Sequence, residues 1–525
     1  MERYREAIIK DLMELASIPS VGGDPAGSEK PFGEPVARAL EFMLRRGREL
    51  GFKTVNYDGY AGSVEYGEAG PVVALLCHLD VVPPGEGWSA DPFIPQFEGD
   101  KLIARGASDN KGPAVAALHT LTAFRKAFPD PPFRLRLLLG TDEERSMSGI
   151  DYYLQKEGLP DFAIAPDAEY PLVSREKGIT DLNITAKIGP GEAISSPDQA
   201  SANKEQAKGT LRSERMALAI VESIQAGVAY NVVPDAASAL ILPEAEQFVE
   251  EQFSGLEEAP STEGGAENDG EQKGAAESKK LTLRREASRL WLDAAGSTAH
   301  AGEPQRGDNA IIRLLAALSS LQSLAVNRSG TTGHLLSSLY RFFGPKPAGT
   351  AGTDGAAGTD GAGFGIATPA EEGDNAGGLT VSLGLLRLAE GTLFAGVNLR
   401  YPVGCDFGPL RERMEAQLAA AGFRLEERIH LPPHHVPEDS LLVRSLRRAY
   451  EEITGLDGTP RSMAGGTYAR KIPGRGVAFG ANFPGTDTRA HQSDEFIHIN
   501  DLIRHSEILL RGLELLVEGL SPLTV

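Results

Sequence analysis

The histidine and carboxylate side chains of this chain collect in a few short segments. His78-Leu79-Asp80 follows the apolar run Pro71 to Cys77, Thr141-Asp142-Glu143-Glu144 follows Phe133 to Gly140, and Asp167-Ala168-Glu169 comes just after Phe162 to Ala165. Ser108-Asp109-Asn110-Lys111-Gly112 lies between the first two, and Ala490-His491-Gln492-Ser493-Asp494-Glu495 comes late in the chain. Two imidazoles among several carboxylates repel one another unless a cation joins them. Nitrogen and oxygen donors without thiolate suit Zn²⁺, Mn²⁺ or Co²⁺. Two such ions sharing a carboxylate would clamp a bridging hydroxide and polarise a carbonyl. One of the paired glutamates would then ligate while its neighbour handles the proton. Asp80, two residues past His78, is placed to accept the imidazole N–H. Each motif alone is weak, since an H-x-D triplet or a Glu-Glu pair is usually solvated; the set gains its force from standing repeatedly after apolar strands. His119, His334, His430, His434, His435, His498 and His505 lack such neighbours and read as structural, and Cys77 as core.

The elements that must carry these segments alternate. Helical spacing runs over Arg5 to Ile18, Val36 to Leu50, Gly112 to Phe128 and Ser148 to Glu157, and strands over Pro71 to Val82, Phe133 to Gly140 and Phe162 to Ala165. Unbroken apolar strands between helices indicate an α/β domain with a mostly parallel central sheet covered on both faces. In such sheets ligands bind outside the carboxyl ends of the strands, where these loops lie. Asp181 to Lys187, Tyr230 to Leu242, Leu281 to Leu292, Leu379 to Leu386 and Phe394 to Arg400 alternate as half-exposed strands, with helices at Ser213 to Ile224 and Ala310 to Leu324. These read as an inserted α+β lid over 178–402. The catalytic domain is then discontinuous, 1–177 and 403–525, resuming with helices at Phe407 to Ala421 and Asp439 to Thr454, a strand at Gly476 to Phe479 and a helix from Asn500 to Glu518.

Composition excludes several classes. The 525 residues would suffice for three or four domains at roughly 150 each. A net charge of -21 argues against nucleic acid and anionic membranes as partners. Two cysteines, Cys77 and Cys405, exclude a disulfide framework. No apolar run approaches the ~18 residues of a membrane span, and the charged start has no secretory h-region, so a cytoplasmic setting is expected. Stretches near 190–210, 257–280 and 347–362, the last with a tandem AGTDGA repeat, are too polar or too small-residue rich to bury a core and read as surface insertions in the lid.

With those segments in view, the chain resembles the M20 metallopeptidases, and among them the PepV-type dipeptidases. Matching segments include His78 to Pro83, Gly106 to Pro113, Gly140 to Glu144, Pro166 to Pro171 and Ala490 to Glu495, together with Asn231 to Asp235, Ala299 to Ala301, Asn398 to Pro402 and Gly465 to Arg470. The resemblance implies two zinc ions per chain, with Mn²⁺ or Co²⁺ as substitutes. His78 and Asp167 would hold one, Glu144 and His491 the other, and Asp109 would bridge them. It implies Glu143 as general base, Asp80 orienting His78, and His300 stabilising the oxyanion. Asn231 and Arg400 would contact substrate, and Gly465, Gly466 and Thr467 would offer backbone donors to the same subsite. Asp at position 167, with Glu169 as the alternative ligand, resembles peptidases acting on free amino termini; Glu there is typical of carboxypeptidases and deacylases. Asn110 departs from an Asp-Asp pattern common in the family. The long lid implies a monomer. The expected activity is a metal-dependent hydrolysis of small peptides with a free N-terminus. The alternatives are an N-acyl amino acid deacylase or carboxypeptidase of the same superfamily, and a peptide-binding protein that no longer catalyses.

Overall fold

The computed structural model of the chain describes residues 1–23, 30–188, 221–242, 245–254, 280–324, 331–345, 362–364 and 376–521. It separates into two units, Met1–Lys177 with Pro433–Val525, and Gly178–Pro432. The expected return to the first unit at 403 is therefore corrected to 433. The reason is the helix Phe407–Ala420 and the strand Arg424–Leu431: the strand pairs with Gly178–Lys187 of the second unit, and the helix packs Leu410, Met414 and Leu418 into that unit's core. The stretches read as insertions lie outside the described residues, apart from Lys280 and Ala362 at their ends.

Among the described residues, the first unit is built on a nine-stranded sheet. Its centre is four parallel strands in the order Arg134–Gly140, Val72–His78, Phe162–Ala165 and Gly476–Phe479. Antiparallel strands extend both sides. Lys53–Tyr57 and Ala61–Tyr66 form a hairpin beside Arg134–Gly140, while Leu172–Glu176 and His434–His435 continue from Gly476–Phe479. The central strands are apolar at consecutive positions because both faces are covered. Val73, Leu75 and Cys77 enter one core with the helices Arg5–Ala16, Gly112–Ala127, Leu441–Thr454 and Ile499–Leu520; Ala74 and Leu76 enter a second, with Ile150, Tyr153 and Tyr468.

Register fixes where the loops begin. His78 pairs with Gly140, and Leu75 with Ile164. Three residues beyond the second pair, His78 and Asp167 therefore stand level, and Thr141 to Glu144 start at the same edge.

The second unit carries an eight-stranded antiparallel sheet among its described residues, in the order Leu281–Glu286, Arg289–Ala295, Ala236–Ile241, Val221–Ala226, Thr380–Ala389, Thr392–Tyr401, Gly178–Lys187 and Arg424–Leu431. One face is packed, so Leu182, Ile184 and Ala186 point into the core, with Asp181 and Asn183 at the alternate positions. Two expectations are corrected. The helix expected over Ser213 to Ile224 gives way to a strand at Val221–Ala226, its earlier part lying outside the described residues. The single strand Leu281 to Leu292 is a hairpin that turns at Ala287, with φ 51° and no glycine to mark it.

The helix Ile499–Leu520 turns His505 inward against the Tyr170 hydroxyl, 2.8 Å from Nδ1. Burial pushes the imidazole down to about 3. An unfolded chain takes up this proton near pH 6.5, whereas the folded one does so only near 3. The neutral histidine therefore leaves stability unchanged above about pH 6.5, and stability falls as pH drops below it, by roughly 2 kcal/mol at pH 5. Denaturant midpoints measured between pH 7 and 5 are expected to fall less steeply for His505→Asn than for the wild type.

Candidate active site

The first unit brings five of the expected ligands together. His78, on the last residue of its strand, is buried. Its Nε2 lies 2.9 Å from Asp109 Oδ1 and 3.7 Å from Asp167 Oδ2. His491 Nε2 lies 2.9 Å from Asp109 Oδ2 and 3.0 Å from Glu144 Oε1. The two oxygens of Asp109 thus face different imidazoles. Among the described residues, two groups could hold a metal ion, His78–Asp109–Asp167 and Asp109–Glu144–His491, with the donor atoms of each within 4.8 Å of one another. Glu169 is outside both: it is exposed, 3.5 Å from Arg461 Nη1.

Electrostatics follow from this crowding. Burial opposes ionisation of Asp109, but hydrogen bonds from His491 and His78 win and hold its carboxyl far below the usual range. Burial would discharge both imidazoles. Asp109 and Asp80 hold His78 well above its ordinary value, and Asp109 and Glu144 raise His491 to about 11. Asp167 is pushed up to about 7, by burial and then by the Asp109 charge. Glu143 is raised well above the carboxylate range, chiefly by burial, with the Asp167, Glu144 and Asp109 charges adding to it against the attraction of His78. Positive charge is what this edge demands. A divalent cation supplies it to the same oxygens and leaves imidazole nitrogens to ligate, so the donor set fits a metal of the zinc type.

Neighbouring groups hold the ligands in place. His78 Nδ1 is 3.0 Å from the Asp80 carbonyl oxygen and 3.5 Å from its carboxylate. That carboxylate instead accepts the amides of Glu143 and Glu144, both at 3.1 Å, so one residue orients the imidazole through its backbone and the glutamate pair through its side chain. Asn110 donates to the Pro166 carbonyl at 2.8 Å and to Asp167 at 3.1 Å, and accepts weakly from the His78 amide at 3.4 Å. An amide can do both; a second carboxylate could not donate to Asp167.

The Gly465-Gly466-Thr467 segment is corrected in part. The buried Glu176 accepts the Thr467 amide at 3.3 Å and its hydroxyl at 2.8 Å. Thr467 therefore has no N–H to spare for a substrate, and the backbone donors expected of this segment reduce to Gly465 and Gly466, which are half-buried. A side chain at Gly466 would overlap the Arg470 guanidinium. Glu176 carried no motif in the sequence, and its strand Leu172–Glu176, with Ser174 and Arg175 beside it, gave no local sign that this acid would be buried.

Asn231, His300 and Arg400 lie in the second unit and meet there. Val232 bridges to His300, the Ala301 amide donates to the Asn231 carbonyl at 2.9 Å, and Arg400 Nη2 is 3.2 Å from His300 Nε2. Arg400 Nε donates to Asn398 at 2.9 Å, whose amide reaches Asp181 at 2.8 Å. The Gly302 amide faces His300 Nδ1 at 3.2 Å, and the Arg400 guanidinium, which carries donors only, faces Nε2, so a neutral imidazole accepts from one of the two and turns its own N–H toward the other.

The sequence profile of Peptidase family M20/M25/M40 matches residues 74–514. The chain belongs to that family. This M20 peptidase, a hydrolase, is 34% identical over 500 residues to "Putative dipeptidase YtjP" of Bacillus subtilis, covering 95% of this chain and 94% of that protein. It is 31% identical over 503 residues to a protein of Staphylococcus saprophyticus that also bears the name "Putative dipeptidase", with the same coverage of 95% and 94%. Among solved structures, the dipeptidase Dug1p of Saccharomyces cerevisiae aligns with TM-score 0.53 at 12% identity, over 99% of this chain and 97% of that one. Human carnosine dipeptidase 1 aligns with TM-score 0.52 at 14% identity, over 98% of each. At such identities the structural likeness speaks for the fold of the peptidase.

Asp80→Ala removes the acceptor of the Glu143 and Glu144 amides and the carboxylate beside His78 while leaving every expected ligand side chain in the sequence. It is expected to weaken metal retention by the peptidase roughly 10- to 100-fold, measured as metal left after dialysis against graded chelator, with the far-UV circular dichroism unchanged.

Proposed function

We propose that this M20 peptidase is a dinuclear zinc dipeptidase that cleaves dipeptides with a free N-terminus. The observation carrying the proposal is the pair of ligand groups joined at Asp109, with Asp167 rather than Glu169 beside His78. His78 and Asp167 would hold one cation, Glu144 and His491 the other, and Asp109 both. The cations supply Lewis acidity to a water and to the scissile carbonyl. Glu143, buried among these carboxylates, takes the proton of the attacking water and hands it to the leaving amine nitrogen. Asp80 keeps its amide in place during both transfers. His300 would stabilise the oxygen that becomes negative. Arg400, oriented by Asn398, would grip the substrate carboxylate, for which a guanidinium has the matching fork. Asn231 and the backbone of Gly465 and Gly466 would complete the contacts. Names of relatives given as dipeptidases support the substrate class. The protein is proposed to act as a monomer in the cytoplasm.

Glu143→Ala is expected to abolish hydrolysis, by at least 10²-fold as general-base losses run, with metal content unchanged; turnover at the wild-type rate would remove Glu143 from the mechanism. A free dipeptide is expected to be cleaved and its N-acetyl form spared. The reverse preference identifies a deacylase, and peptide binding without turnover in added Zn²⁺, Mn²⁺ or Co²⁺ a non-catalytic protein.

A further inference from the structure

Glu495 stands four residues after the ligand His491, and the function described above gives it no task. It is buried, and so is its partner Arg105, whose Nη1 donates to Oε2 at 2.7 Å. The remaining acceptor capacity goes to a single loop. Oε2 accepts the Gly106 amide at 3.0 Å, and Oε1 accepts the amides of Ser108 at 2.9 Å and Asp109 at 3.0 Å. The Glu495 carbonyl adds a fourth tie to the same stretch, accepting the Ala104 amide at 3.0 Å. One carboxylate thus gathers three amides of this loop, and the last of them belongs to the residue whose two side-chain oxygens face His78 and His491.

The same segment is fixed from its other side. Asp494 accepts the Ser89 amide and hydroxyl, both at 2.8 Å. In the segment that ends at these anchors the backbone takes left-handed conformations at Arg489, His491 and Asp494, with φ of 57°, 63° and 55°. Such angles cost energy in non-glycine residues and persist only where surroundings enforce them. The Ser108 hydroxyl also donates to Thr488 at 3.0 Å and His491 meets the Asp109 side chain, but Glu495 is the tie that holds the backbone amides of the Asp109 loop.

We propose that Glu495 is a positioning residue that locks the Asp109 and His491 loops in mutual register, so that one carboxylate can serve both metal sites. The assignment rests on the ligand reading given under the proposed function. Charge and shape both enter. Each oxygen meets only donors, so an amide in place of the carboxylate turns an NH₂ toward N–H groups whichever way it is rotated. Glutamine keeps the volume, so packing is preserved while the lock is lost.

The test is zinc titration of the stripped full-length chain against a chromophoric chelator, for wild type, Glu495→Gln and Asp11→Asn. Asp11 pairs with Arg46 and His119 in the core, apart from the ligand set, and its substitution disturbs a buried charge network of similar kind. Glu495→Gln is expected to bind zinc roughly 10- to 100-fold more weakly at both sites, while Asp11→Asn, at a comparable loss of Tm, binds as the wild type does. Wild-type affinity in folded Glu495→Gln overturns the assignment alone. Equal weakening in Asp11→Asn also overturns it, because general destabilisation then explains the loss. A wild type that takes up no zinc overturns the proposed function, and this assignment with it. Where the glutamine variant does not fold, Glu495→Asp gives the same reading: it keeps the charge against Arg105 and withdraws the oxygens by one methylene.

Discussion

The crowding of carboxylates at one sheet edge governs the chemistry of this molecule. Asp109, Glu143, Glu144 and Asp167 are mutually repulsive, largely screened from water, and drawn to two imidazoles. At the separations seen around Asp109, unit charges interact by about 4 kcal/mol even at an effective dielectric of 20. No loop conformation relieves that by itself. The fold must pin each carboxylate, and a counter-charge must join them. The backbone carbonyl of Asp80, the side chain of Asn110 and the amides gathered by Glu495 are the pins.

The strands do the coarse placement and the loops the fine. Parallel pairing brings His78, Thr141 and Asp167 to one edge at matching heights, which needs only register. Asp109 has no strand of its own. Its amide is held by the side chain of Glu495, 386 residues further along the chain, so the centre is assembled from both sequence portions of the discontinuous unit.

Much of this was legible in the sequence, and for identifiable reasons. The apolar runs ending at Cys77, Gly140 and Ala165 have strand length and end in polar loops, and Ser148–Glu157 and Gly476–Phe479 fall where spacing predicts. The hairpin Lys53–Tyr57 with Ala61–Tyr66 was not read, although Asp58-Gly59 is a turn signal, because its exposed first strand hides the alternation. The second unit was harder. Its helices Glu246–Ser254 and Thr331–Phe343 border polar or glycine-rich stretches that dilute the period. The boundary at 433 could not be read because Arg424–Leu431 is largely exposed and pairs with a strand some 240 residues earlier. Within the site, residue types pointed to the side chains that the fold brings together. What they did not announce was the spending of donors, as at Thr467, or of acceptors, as at Glu495, because a hydrogen-bond partner distant in sequence leaves no local pattern.

The left-handed backbone at His491 bears on how this centre can be redesigned. At φ 63° the position favours the few side chains that tolerate such a backbone, histidine, asparagine and aspartate, and penalises β-branched ones. On the proposed ligand set, ligand exchange at this position has oxygen donors open to it, whereas His78, at the end of an extended strand, has no such backbone filter. The two halves of one cluster thus have unequal freedom to vary, set by dihedral angle before any question of coordination arises.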